Sequence, residues 1–276
     1  MGKSVNIKAA YVIAAAAVIL TAVEFFVGSF PVELFRFPIN LLCIALWLVC
    51  LSIIYRQRTT SVTARFMLSP SATWLSLALV AGVGITLGLE RKPSSDAWIV
   101  VAAILFVLSH LTLITIRGWR NAKGIRWRFV LLHLGLIIAL GAGFWGAPDR
   151  EQLRIAVSPT PNDQAYNIDG EPRILGYELR LNSFDIELTA NGTPKSCMAE
   201  VDVDGHRTAI SVNHPYSRTW CEKIYLIRLD GEVCILEVVR EPWQWLTTTG
   251  IVLLIAGAVM MFLYGPRHST TENREQ

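Results

Sequence analysis

Six stretches of this chain are apolar enough, and nearly long enough, to cross a lipid bilayer. A bilayer core demands roughly 20 apolar residues in helical form, because every backbone polar group must be paired within the segment. The stretches are Ala9–Val27, Asn40–Tyr55, Ala72–Leu89, Ala97–Ile116, Phe129–Phe144 and Trp243–Tyr264. The second and fifth are short, so tilt or local thinning is expected there. Composition agrees: 17% of the 276 residues are charged, against about 25% in soluble domains.

The loops set an orientation, because cytoplasmic loops carry the excess of Lys and Arg. Lys3 and Lys8 precede the first stretch, and Arg56, Arg58 and Arg65 follow the second. Arg117, Arg120, Lys123, Arg126 and Arg128 follow the fourth, and Arg267 and Arg274 lie in the tail. Neither of the two inner basic loops holds an acid, whereas the alternate loops hold Glu33 with Arg36, and Glu90 and Asp96 with Arg91 and Lys92. The expected topology is multi-pass with both termini cytoplasmic. Glu24 and Phe25–Phe26 stand where small cleavage-site residues would be needed, so the first stretch is expected to be retained as a span.

Between the fifth and sixth stretches the texture changes to alternation of period two. "YELRLNSFDIEL" places Tyr177, Leu179 and Leu181 on one face, with Phe184, Ile186 and Leu188 expected after a turn. "AEVDVDGHRTAISVN" and "KIYLIRLDGEVCILEVV" repeat the alternation around Asp204–Gly205 and Asp230–Gly231, the signature of hairpins. The expected fold is a polytopic α-helical membrane protein of about six transmembrane helices, with a small all-β extracytoplasmic domain inserted before the last helix. Its segments are 1–144 (five helices), 145–242 (β domain), 243–264 (last helix) and 265–276 (cytoplasmic tail). Two of Cys197, Cys221 and Cys234 could pair, whereas Cys43 and Cys50 lie in an apolar run and act as small hydrophobes.

The net charge of +3 and the lack of a basic recognition element point away from nucleic acid. No GxSxG, HExxH, P-loop, GxGxxG or CxxCH motif is present, so the chain gives no support to hydrolase, ATPase, dinucleotide or c-type cytochrome readings.

The outer segment carries "FDIE" at Phe184–Glu187, "GTPK" at Gly192–Lys195, "ISVNHP" at Ile210–Pro215 and "IYL" at Ile224–Leu226. The helix before it carries "HLGL" at His133–Leu136, and an apolar helix follows at Trp243–Leu263. In order and placement these motifs resemble the ResB family of cytochrome c biogenesis proteins, over roughly residues 117–264. The resemblance implies a bacterial inner-membrane subunit with a periplasmic domain. Such a subunit holds heme b transiently and works with a CcsA-type partner to deliver it to apocytochrome c. The partner's tryptophan-rich WWD segment is absent from this sequence, so lyase chemistry is expected in the partner and this chain is expected to be a carrier. The resemblance also places a heme-binding histidine at His133.

Depth supports a site there. His133 lies five residues after Arg128 and His110 seven residues before Arg117, about 7.5 and 10.5 Å along their helices. The two imidazoles are therefore expected at similar depth on antiparallel neighbours, suited to axial ligation of a heme iron. Arg120, Arg126 and Arg128 would meet the propionates. The bland alternative is that the arginines serve topology alone and the histidines only hydrogen-bond neighbouring helices. Two rival functions follow: a cofactor-free scaffold whose outer domain binds a partner, and a heme-containing, quinone-linked electron-transfer subunit.

Overall fold

The computed structural model describes residue 15 and residues 17–89, 96–122, 124–188, 194–230 and 233–264. It divides into a helical unit, formed by Met1–Pro148 with Leu246–Gln276, and a β unit, Asp149–Trp245.

Five described helices are long and apolar enough to cross a membrane. They are α2 (Ile39–Arg56), α4 (Pro70–Leu89), α5 (Trp98–Gly118), α6 (Trp127–Gly146) and α7 (Gln244–Tyr264). A shorter apolar helix, α1 (Ala17–Val27), covers the second half of the expected first span, whose beginning lies outside the described residues. The two stretches expected to be short are helices of 18 and 20 residues. Each gains length at both ends: Ile39 and Arg56 extend α2, and Trp127 and Arg128 with Trp145 and Gly146 extend α6. The arginine stems can reach water while their backbone stays helical. Leu46 and Phe262, 66% and 88% exposed, belong to an outer surface suited to acyl chains.

Polar contacts at the ends of the helices hold the bundle. The Glu24 carboxylate accepts the Trp98 backbone N–H at 2.8 Å, capping the N-terminus of α5, where an anion opposes the helix dipole. Asn40, fully buried, donates from Nδ2 to the Trp145 carbonyl at 3.1 Å and so ties α2 to α6. Trp47 Nε1 donates to Ser109 Oγ at 2.8 Å, tying α2 to α5.

Helices α6 and α7 meet backbone to backbone. A Cβ on Gly135 would lie 2.7 Å from the Gly250 oxygen, and one on Gly250 would lie 2.5 Å from the Ala139 nitrogen. Only glycine allows this approach, which is how small residues let membrane helices pack without a hydrophobic driving force.

A six-residue helix, α3 (Val62–Met67), lies between α2 and α4. It is too short to show a helical period in the sequence. Its N-cap is Ser61, whose side chain accepts from the Ala64 N–H. Ala64 and Met67 are buried, while Val62 is exposed.

The β unit is one antiparallel sheet of eight strands in the order β7-β6-β5-β4-β3-β10-β9-β8. The strands are β3 (Glu151–Val157), β4 (Asn162–Tyr166), β5 (Pro172–Leu188), β6 (Pro194–Val203), β7 (His206–Ser211), β8 (Tyr216–Thr219), β9 (Glu222–Asp230) and β10 (Val233–Arg240). The sheet curls until β7 approaches β8 and β9, enclosing a core of inward positions two residues apart, such as Ile155 and Val157, Val201 and Val203, and Leu236 and Val238. The Asp204–Gly205 hairpin has both residues at positive φ, 54° and 79°, as a tight twisted turn requires. At Asp230–Gly231 strands β9 and β10 pair as expected up to Asp230, and Gly231 lies outside the described residues.

The turn expected between Leu181 and Phe184 is absent. Strand β5 runs unbroken from Pro172 to Leu188, and its register against β6 shifts between Leu181 and Ser183. A bulge adds one residue and reverses the alternation, which in the sequence alone looks like a break between two strands. All five cysteines are free thiols, and Cys234 is fully buried in the β core.

Candidate functional site

The cytoplasm-directed end expected from the arginines is built from the α2–α3–α4 corner, the last turns of α5 and the first turns of α6. His110 sits on α5, 2% exposed, and its ring spans to two other elements. Nδ1 lies 2.7 Å from the Met67 carbonyl of α3, and Nε2 lies 3.1 Å from Thr73 Oγ1 of α4. A carbonyl can only accept, so in the neutral ring Nδ1 carries the proton and the Nε2 lone pair receives the Thr73 hydroxyl proton. Two turns on along the same face of α5, Arg117 donates to the Leu68 carbonyl at 2.8 Å. Together His110 and Arg117 fasten the last carbonyls of α3, groups that a helix end leaves without internal partners.

His133 differs in the same terms. Its Nδ1 lies 2.9 Å from the Phe129 carbonyl one turn back on α6. By the same logic Nδ1 is the donor, and the Nε2 lone pair has no hydrogen-bond partner among the described residues. The half-buried imidazole stacks on the Phe129 ring at 3.9 Å between centroids, and Arg126 covers that ring at 4.6 Å. Helical spacing sets His133 on the Phe129 stripe, away from Leu132, Gly135 and Ala139, which face α7.

The two histidines turn to different neighbours, although Gly118 of α5 abuts the Phe129 ring of α6. His110 is turned to α3 and α4, on different neighbours from those of His133.

The basic loop between α5 and α6 is a small hairpin, β1 (Arg120–Asn121) with β2 (Gly124–Ile125). Arg126 donates to the Gly118 carbonyl at 3.2 Å, and Arg120 is exposed on β1. Among the described residues, no group of three or more His, Cys, Asp or Glu side chains could hold a metal ion. A heme iron needs only one or two imidazoles from the chain. His133, with Nδ1 donating to Phe129 and its Nε2 lone pair open, is chemically suited to be such a ligand.

The β unit holds a charged cluster that the sequence did not single out. Glu222, 6% exposed, accepts from Arg240 Nε at 2.5 Å and from Arg218 Nη1 at 3.3 Å. Arg218 covers the Tyr177 ring at 4.0 Å, and Arg240 also donates to the Leu175 carbonyl at 2.8 Å. Burial first, and then the Glu222 charge, push the Tyr177 phenol above its ordinary range. Arg218 and Glu222 are four positions apart, but Arg240 meets Glu222 and Leu175 from 18 and 65 positions away, so no local pattern announced the cluster. The charges of the cluster are paired with one another, and it acts as a structural lock.

Fold and helix chemistry define a polytopic helical membrane protein carrying a large antiparallel β domain before its last helix. No family model matches the chain, and no curated protein does. Among solved structures it is similar to one titled "Cytochrome c Heme Lyase CcmF", at 13% identity, covering 68% of this chain and 33% of that one, with a TM-score of 0.38. The chain spans about a third of the length of that protein. A likeness of that order transfers no function.

Proposed function

We propose that this chain is a ResB-like subunit of cytochrome c maturation, holding heme b in the inner membrane of a bacterium for a CcsA-type partner that passes it to apocytochrome c. Its role is that of a carrier, with both termini cytoplasmic and the β domain outside. The observation that carries the reading is the contrast between the two membrane histidines. His110 has its lone pair occupied by Thr73, whereas His133 holds an open Nε2 lone pair in a ring oriented by Phe129. An imidazole whose other nitrogen donates to a carbonyl is the usual state of a metal-ligating histidine.

When bound, heme would supply the iron, and His133 would be the residue that holds it through Nε2. Arg126 and Arg128 stand within one turn of the start of α6, and with Arg120 they would receive the propionates. His110 could join as a second ligand only by giving up its bond to Thr73. His133 is half-buried, so heme there would lie at the perimeter of the helical unit, where a second protein could close the site.

The test is the absorption spectrum of the detergent-purified protein, co-expressed with a CcsA-type partner, beside His133→Ala. The expected result is a Soret band in the parent chain that the variant loses. A parent chain without heme, or a variant with an unchanged band, overturns the reading.

A further inference from the structure

A different group of arginines surrounds an open cavity at the same end of the bundle. Arg58 follows α2, Arg65 lies on α3 and Arg117 on the last turn of α5, and with Thr59 and Leu68 they line a space of about 390 Å³. The α2–α3 corner and α5, distant in sequence, therefore line one concavity with three arginines. No carboxylate lines it, and residues 56 to 69 contain no acid.

Their existing contacts orient these groups without neutralising them. Arg58 lies over the Tyr55 ring at 4.7 Å and donates to the Tyr55 carbonyl at 3.3 Å. Arg117 spends one donor on the Leu68 carbonyl. A guanidinium offers five N–H donors, so most of the set remains for a ligand. Three like charges around one space repel one another until an anion enters.

Position narrows the ligand. The cavity begins two residues beyond the end of α2 and within the last turn of α5, at the level where headgroup phosphates lie. Beside it, α3 exposes Val62 at 73%, and α2 exposes Ile53 at 50%, an apolar border fit for acyl chains. Basic pockets between helix ends on the cytoplasmic side are a recurring way of holding anionic headgroups.

We propose that Arg58, Arg65 and Arg117 form a phosphate-binding site, taking either the phosphodiester of an anionic phospholipid or a free phosphate anion. The site is independent of the heme reading, because it shares no residue with His133 or the α5–α6 hairpin.

The experiment uses the full chain, delipidated in non-ionic detergent and titrated with phosphatidylglycerol, phosphatidylcholine or inorganic phosphate. Binding is read by native mass spectrometry and by the shift in thermal unfolding. The variant is Arg58→Gln/Arg65→Gln, both exposed, so that the Arg117 bond to Leu68 is kept. The control is Lys3→Gln/Lys8→Gln, which removes the same charge elsewhere.

The expected result is binding of phosphatidylglycerol over phosphatidylcholine, weakened by about tenfold in the arginine variant and unchanged in the lysine control. A response to inorganic phosphate alone, lost in the same variant, supports the site with a free anion as its source. Binding of neither anion, or equal weakening in both variants, overturns the proposal.

Discussion

His110→Leu removes the ring that bridges α3, α4 and α5 while keeping an apolar side chain of moderate size. Two hydrogen bonds are lost, at 2.7 Å to Met67 and 3.1 Å to Thr73. The partners fare differently. The Thr73 hydroxyl can turn to a backbone carbonyl of its own helix, as Thr112 and Thr115 do on α5. The Met67 carbonyl, at the end of α3 and in an apolar setting, loses the His110 N–H donor. An orphaned buried acceptor with one lost bond amounts to about 2–3 kcal/mol, which is roughly a 30- to 150-fold increase in the population with the corner open. Arg117 still holds Leu68, so the opening is local to residues 57–69. Limited trypsin digestion reads it directly, because Arg58 and Arg65 lie in that corner and cleavage follows the open population when reclosing is fast. Cleavage at Arg65 should accelerate by more than about tenfold while sites in the β unit are cut at the parent rate. An increase below about threefold would refute the bridging role. Loss of a heme band without faster cleavage would instead make His110 a ligand.

Two further outcomes follow from the β unit. Glu222→Ala leaves Arg240, whose side chain is 27% exposed, facing a vacated partner. The cost should be about 2–4 kcal/mol after allowing for that exposure, and Arg240→Met in the same chain should return part of it; additive losses in a denaturant titration would contradict the coupling. Burial pushes the Cys234 thiol up to about 12, so only about one part in ten thousand is thiolate at pH 8. Maleimide should therefore label Cys221 but spare Cys234 in the native protein and label both once it is unfolded, as peptide mass spectrometry would show; equal native labelling would contradict the buried setting.

What the sequence made legible follows from what is local. Spans such as Trp98–Gly118 declare themselves because a bilayer demands a long uninterrupted apolar run. The hairpin at Asp204–Gly205 declares itself because two residues at positive φ restrict the amino acids allowed there. The bulge in β5 looks like a turn in the sequence, since both break the alternation at the same place and only the pairing with β6 tells them apart. Helix α3 was passed over because six residues do not complete two turns.

At the candidate site the same division holds. The identity of His110 and His133 as polar groups in spans was plain, but the atoms that occupy their lone pairs were not. Met67 and Thr73 lie 43 and 37 positions from His110, and no spacing rule reaches that far. Counting from the arginines sets both rings near one height, but it says nothing of the different neighbours to which they turn.

The glycine contact between α6 and α7 has a consequence in time. The two helices are neighbours in space, yet Asp149–Trp245, about 100 residues, must be synthesised between them, which takes roughly 5–20 s at typical elongation rates. For that interval the newborn α6 presents Gly135 and Ala139 as a groove that acyl chains fill poorly and only another closely approaching helix can complete. Insertion of α7 is thus the step that seals the bundle. A ribosome stalled before Gly250 would release a chain whose last helix is ready to pair with a stranger.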